Sequence, residues 1–431
     1  MRKIPSVPHA HTPSAAASSI PPQSPLMYLD MKRIFPLASA ASVTGGFYLS
    51  VAGAMMAIFS RDLGVSVAEL ALLGSMYGVS MVIRGLSAPY VLRFGPVWLL
   101  RLAPVCVAIG VALMIGENSA LMVLLGAGLC AYGAAATSIV NPAVFVGREG
   151  VRYLAIITGI ASTVSIISPL AFALTERLWP GYGRFALLLI LVPALAESIM
   201  AWRAPTVSFR AFLGTCSARS VRAESAGAAA AQTAMTPETS VAQAGSATEQ
   251  QLPQLTKRAV ALQVLRLLMV AGVEFAFYAW SVERLMQVHA TLAQASALAT
   301  VFAVGMAVGR IGAARLLHYR YASATLQLLG LIGAGIVGFV PSVIGVGLGL
   351  LIAGLGTSCL FAIAATDFSG LPTVQPQAAS SVVNVVSGIG ALLAPLALGA
   401  ILTFAGLQVG FVLIMALYLL LFVVPRPRFS M

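Results

Sequence analysis

The sequence predicts an all-α membrane protein whose twelve transmembrane helices form two parallel six-helix repeats. Three observations carry that expectation. The 431 residues are 59% hydrophobic and only 9% charged, against about 25% charged in soluble chains. Twelve apolar runs reach the length a helix needs to cross a bilayer, about 20 residues. A single displacement of 226 residues then lays rare residues of the second half over those of the first. A soluble fold of this size has no way to hide so much apolar surface, so the solvent it implies is lipid.

Residues 1–33 are rich in Pro, Ser and Ala, lack an apolar signal region, and read as a disordered tail. Met27 and Met31 are alternative translation starts, since the structured pattern begins just after them. Apolar runs near 34–59, 68–91, 97–116, 119–146, 153–175 and 184–203 make a first six-helix bundle, 34–203. The stretch 204–258 is Ala, Ser, Thr, Gln and Glu with few large apolar residues. It buries too little to repay its ordering entropy, and reads as a flexible cytoplasmic linker. Runs near 259–281, 292–316, 323–341, 342–366, 379–403 and 405–425 make a second bundle, 259–425, before a short tail, 426–431. The runs are continuous and do not alternate, which excludes barrel strands.

With both termini inside, eighteen of the 25 basic residues fall on the cytoplasmic side and four outside. That bias places both termini in the cytoplasm of a multi-pass protein of the bacterial inner membrane. The net charge of +12 invites a nucleic-acid reading. The basic residues are scattered between apolar runs without an aromatic platform, so that reading is excluded. Cys106, Cys130, Cys216 and Cys359 have no metal-ligand or redox spacing, and His9, His11, His289 and His318 form no cluster. No phosphate-cradling glycine loop or catalytic triad is present. An enzyme, a metal and a cofactor are therefore not expected, and ATP is not the expected drive.

The repeat is specific in its rare residues. Arg84 falls on Arg310 in the second and eighth runs, and Pro169-Leu170-Ala171 on Pro395-Leu396-Ala397 in the fifth and eleventh. Ala127-Gly128-Leu129 falls on Ala353-Gly354-Leu355, and Gly46 on Gly272. Six helices is an even number, so the second copy enters from the same side as the first. This architecture resembles the major facilitator superfamily, whose halves are parallel repeats about an axis along the membrane normal. That family's loop between helices two and three reads Gly-x-x-x-Asp-Arg-x-Gly-Arg-Arg. Here Ala88 to Val97 keeps Arg93 and Gly95 but has Leu92 at the Asp position. The antiporter signature Gly-Pro-x-x-Gly-Gly is reduced to Ser168-Pro169-Leu-Ala-Phe172-Ala173. The resemblance implies a secondary transporter working by alternating access.

Ionisable residues inside a membrane are costly and point to function. Glu274 in the seventh run is the clearest. It either takes and releases a proton, coupling proton flow to transport, or binds a cationic part of a substrate, or is a structural carboxyl. Tyr278 lies one turn beyond it, and Arg266 faces a cavity or snorkels inward. Arg84 and Arg310 sit at matched depth and suit an inner gate or an anionic substrate. Asn141 and Asp367 also match, at the cytoplasmic ends of the fourth and tenth runs. Asp367 is expected to meet Arg315 or Arg320, and Asn141 to meet Arg93. Pro169 and Pro395 are expected to kink their helices. Glu197 reads as an interfacial group, and Trp280 as part of an outer aromatic belt or a stacking surface for substrate.

The expected partners are a small-molecule substrate, protons and membrane lipid, with no nucleic acid and a monomeric state. Other readings are a multidrug or metabolite efflux antiporter and a non-transporting receptor or scaffold. Single cysteines placed before residue 34 and after residue 425 are expected to react from the same membrane face with an impermeant thiol reagent. Labelling from opposite faces would overturn the even-span architecture.

Overall fold

A computed structural model describes residues 25–91, 96–116, 119–145, 147–204, 246–316, 321–369, 371 and 376–424. Among them no strand occurs. The first half holds α1 (Pro25–Ser50), α2 (Ala52–Leu63), α3 (Ala71–Val91), α4 (Pro96–Gly116), α5 (Ala120–Ala134), α6 (Thr137–Val144), α7 (Gly147–Leu178) and α8 (Leu191–Arg203). The second holds α9 (Ser246–Gln287), α10 (Leu292–Leu316), α11 (Ala322–Phe339), α12 (Val343–Thr357), α13 (Leu360–Ser369), α14 (Pro376–Ala405) and α15 (Leu407–Val423). Ten of the described segments are long and apolar enough to cross a bilayer, and the α1–α2 pair, bent by 54°, adds one more. The apolar α15, 17 residues long, completes twelve.

The boundaries have local causes. Ser50 turns its hydroxyl back onto the carbonyls of Gly46 and Phe47 at 3.1 and 3.3 Å, where it competes with the helical ladder. The first span breaks immediately after it. Gly64 ends α2 with φ +66°, a left-handed cap that favours glycine. Ser342 caps α12 by accepting from the Gly345 N–H. The fourth span is divided between α5 and α6, and the tenth between α12 and α13. The sixth opens as a tight 3₁₀ turn, Gly183–Ile190, before α8. Helix α1 begins inside the stretch read from sequence as a tail, and α9 begins inside the stretch read as a linker. The remainder of both stretches lies outside the described residues.

The repeat seen in sequence reappears as packing. In the first half, the third span packs on the fourth, the first on the fifth, the second on the fourth and the third on the sixth. In the second half, the ninth packs on the tenth, the seventh on the eleventh, the eighth on the tenth and the ninth on the twelfth. Each pair is its counterpart displaced by six spans. The halves meet along two seams, α3 with α14 and α7 with α10, which exchange under the same displacement.

The α3–α14 seam is built on bare backbone. A Cβ on Gly78 would stand 2.4 Å from the Leu392 nitrogen and 2.6 Å from the Gly388 carbonyl oxygen. Ser75 donates to the Leu392 carbonyl at 2.9 Å. Close approach through small residues is how helices associate where lipid removes the hydrophobic drive. The halves also meet in the part of the molecule remote from the chain termini. Gly53 of α2 lies against the Tyr278 and Ala279 carbonyls of α9, where a Cβ would come within 2.8 and 2.9 Å. Trp280 is fully buried there and donates from Nε1 to the Pro395 carbonyl at 3.2 Å. It is a lock between α9 and α14, and not the interfacial belt residue its aromatic ring suggests. Exposed Trp179 and Tyr182 occupy that surface instead.

Gly78→Leu is expected to destabilise the purified protein by about 1–3 kcal/mol or more through overpacking. A thermal melt in detergent checks this. Gly116→Leu, where an added Cβ meets no atom within 4 Å, is the matched control and leaves the melt unchanged.

Candidate functional site

In the seventh span, α9 sets two faces against two neighbours. Gly272 abuts Gly390 and Ala394 of α14. Glu274, two residues on and so about 200° round the helix, turns toward α10. It lies 17 residues past Lys257 and 13 before Gln287, the ends of its span, which places it near mid-membrane. It is 7% exposed.

Arg310 of α10 meets it there. Its Nη2 lies 3.4 Å from Glu274 Oε1, the only ion pair between described spans of the second half. Nη1 donates to Ser162 Oγ of α7 at 2.8 Å, and Nε donates to the Ser358 carbonyl at 3.2 Å. Ser358 sits at the junction of α12 and α13, where the interrupted helix leaves a carbonyl for a side chain to take. One guanidinium thus joins the two halves through α7, and ties α9, α10 and the α12–α13 junction within the second. Tyr77 of α3 and Phe275 of α9 meet across the halves beside this cluster, tilted by 33° with ring centroids 5.5 Å apart, and Tyr48 of α1 stacks on Tyr77 at 6.2 Å. Tyr278, one turn beyond Glu274, packs edge-on to Phe302 at 5.1 Å.

Of the residues that the sequence singles out, Glu274 and Arg310 come together, with Tyr278 adjacent. Arg266 does not join them. It is buried and donates from Nη1 to the Val424 carbonyl at 3.1 Å, holding the end of the twelfth span. Arg101 holds the end of α8 in the same way, donating to the Ala201 and Ala204 carbonyls at 3.0 and 3.3 Å between the rings of Trp98 and Trp202. Arg284 does so for α11, through the carbonyls of Val337, Gly338 and Val340. A cation at a helix C-terminus satisfies orphan carbonyls and the helix dipole together.

Arg84, the counterpart of Arg310, is 1% exposed and stands 4.0 Å over the ring of Tyr132. Tyr132 is the residue that the displacement of 226 lays on Ser358. Asn141 is buried and donates to Ser42 Oγ at 3.3 Å. Asp367 is buried near the end of α13. The side chains expected to meet them, Arg93, Arg315 and Arg320, lie outside those described. Pro169 and Pro395 stand inside the continuous α7 and α14, and the α1–α2 junction is bent by 54° at its break. Ser168, next to Pro169, touches that junction through Ser50, Oγ to Oγ 2.5 Å.

One residue escaped the sequence reading. Ser162 is a small polar residue in an apolar run, with no charge to mark it. Its repeat partner is Gly388, a seam residue, and that match is the signal that places it between the halves. Glu197 read as interfacial, yet it is 1% exposed inside the first half.

No family model and no curated protein matches the chain. Solved structures match its fold. The nucleoside transporter NupG is 12% identical with TM-score 0.63, covering 90% of this chain and 96% of its own. The human organic anion transporter MFSD10 is 17% identical with TM-score 0.58, covering 93% and 100%. A bacterial homologue of the human lysosomal transporter Spinster, in an inward-facing and occupied conformation, is 13% identical with TM-score 0.61, covering 93% and 99%. The fold is the major facilitator fold.

Arg266→Gln is expected to lower stability by about 1.5–3 kcal/mol, the scale of a charged hydrogen bond, and to leave ligand affinity unchanged. Paired melting and binding measurements check this. A selective loss of binding would return Arg266 to the site.

Proposed function

We propose that the chain is a secondary active transporter that carries a small molecule across the bacterial inner membrane by alternating access. The observation that carries this reading is Arg310, which grips Ser162 of one half and Glu274 of the other near mid-membrane. A rocking transporter needs contacts between its halves that are made in one state and released in another.

Glu274 supplies the release. When it takes a proton, or a cationic group of the substrate, its attraction for Arg310 falls. The guanidinium then loses its anchor on α9, and its hold on α7 weakens with it. Tyr77 and Phe275 beside the pair, backed by the buried Tyr48, give an aromatic surface suited to a ring-bearing substrate. With both termini cytoplasmic, the end joined by α2 and α9 faces outward and the Arg310 clamp closes the inner path. The fold's kinship with carriers of nucleosides and of organic anions makes those two classes the first to screen. Coupling to protons rests on the placement of Glu274 in a site that lipid and protein keep from bulk water.

The test uses purified protein in proteoliposomes, with the substrate taken from a thermal-shift screen of nucleosides and organic anions. Wild-type uptake is expected to respond to an imposed proton gradient. Glu274→Gln is expected to lose gradient-driven uptake by at least about tenfold, a barrier change of roughly 1.4 kcal/mol, while keeping exchange of labelled for unlabelled substrate. Gradient-driven uptake that survives in Glu274→Gln would remove the proton from this site.

A further inference from the structure

The first half carries a buried charge pair of its own, which the clamp at Arg310 does not use. Arg84 lies on α3 and Glu197 on α8. Arg84 is seven residues from Val91 and Glu197 six from Arg203, so both stand about 10 Å from the same end of the bundle. Each is 1% exposed, and each lies in Coulombic range of the other. They do not touch. The three guanidinium nitrogens of Arg84 have no hydrogen-bond partner among the described residues, and its plane rests on Tyr132 at 4.0 Å. Glu197 Oε1 is likewise without a partner. Its other oxygen, Oε2, lies 3.2 Å from Thr44 Oγ1 of α1.

An ionised carboxylate so placed would be buried, unpaired and held by one hydroxyl, which is strongly unfavourable. The neutral acid fits the same atoms. Oε2–H donates to Thr44 Oγ1, and the Thr44 hydroxyl hydrogen passes to the Ala40 carbonyl at 3.4 Å. Every hydrogen in that chain finds an acceptor. Arginine does not give up its charge, so the pair changes state only through the glutamate.

We propose that Glu197 is a proton-binding site of the first half, protonated in this conformation and deprotonated when Arg84 leaves Tyr132 to pair with the carboxylate. The proton goes to water at the terminal face, and no electrons move. The bond broken is Glu197 O–H, and the charge left on Glu197 is met by Arg84. This site is separate from the Glu274–Arg310 clamp and stands whether or not the clamp couples to protons. Among the other ionisable groups on the elements packed against α8, Lys32 of α1 is exposed near the chain's start. Arg101 of α4 is bound to the Ala201 and Ala204 carbonyls, and Tyr48 of α1 donates to the Ala127 carbonyl. Cys106 of α4 is half-buried beside Arg84, and Arg184 lies at the opposite end of the bundle.

Infrared difference spectroscopy of the full chain in lipid nanodiscs tests this without a substrate. The wild type is expected to show a protonated-carboxyl carbonyl band near neutral pH, lost in Glu197→Gln and retained in Glu274→Gln. Thr44→Val removes the hydrogen-bond acceptor and is expected to shift that band to higher frequency, a readout that serves if Glu197→Gln fails to fold. In Arg84→Gln the band is expected to survive alkalinisation that removes it in the wild type. A carboxyl band unchanged by Glu197→Gln, unmoved by Thr44→Val, or with the same pH response in Arg84→Gln, would overturn the proposal. A transporter that loses gradient coupling in Glu274→Gln while keeping the Glu197 band separates this site from the clamp.

Discussion

Lipid offers no hydrogen bonds, so every polar group in the spans has to find its partner within the protein. The placement of the buried arginines follows from this constraint. Arg101, Arg266 and Arg284 each close the end of a neighbouring helix, where carbonyls would otherwise face hydrocarbon. Arg310 does the same at the α12–α13 junction with one nitrogen, and spends the others on Ser162 and Glu274. A side chain that caps a helix break is held in position by it. That leaves its remaining donors aimed at fixed points, which is what a clamp between two moving bodies requires.

The duplication supplies the frame, and substitutions within it supply the difference between the halves. Matched positions carry Arg84 and Arg310, Tyr132 and Ser358, Tyr48 and Glu274, Gly388 and Ser162. Ser358 and Glu274 of the second copy and Ser162 of the first converge on Arg310 as partners. Around Arg84, the tyrosine hydroxyl at the Glu274 position is bound to the Ala127 carbonyl, and the counterpart of Ser162, Gly388, has no side chain at all. Arg84 is left with an aromatic face. The same backbone therefore holds one arginine across the halves and the other wholly within its own, and gives the two copies different tasks.

Much of the fold was legible in the sequence because its causes are one-dimensional. Continuous apolarity marks spans, and a fixed displacement marks duplication. Where short-range chemistry interrupts a helix, the sequence was mute. The break after Ser50 depends on a hydroxyl turned to its own backbone, and the junctions in the fourth and tenth spans occur in runs as apolar as their neighbours. The prolines mark no break, since Pro169 and Pro395 each stand within a continuous helix. For the candidate site, charge made Glu274 and Arg310 visible but not their contact, which depends on how α9 and α10 are rotated. Sequence leaves Arg266 either facing a cavity or snorkelling inward, because a charge that caps a helix looks, in one dimension, like a charge that faces a cavity. Glu197 reads as an interfacial group because it lies near a span end, and depth along a helix says nothing about which way a side chain faces.

The glycine contact between α3 and α14 has a mechanical consequence. Where Gly78 meets Gly388, the two halves touch without interdigitated side chains. Knobs seated in holes resist rotation, since each must be lifted out before it can reseat. Two smooth ridges in register can roll through an angle while remaining in contact. Under the proposed rocking motion the Gly78–Gly388 contact is suited to serve as a bearing, while Ser75 on the Leu392 carbonyl and Val385 against Gly85 hold the seam on either side of it.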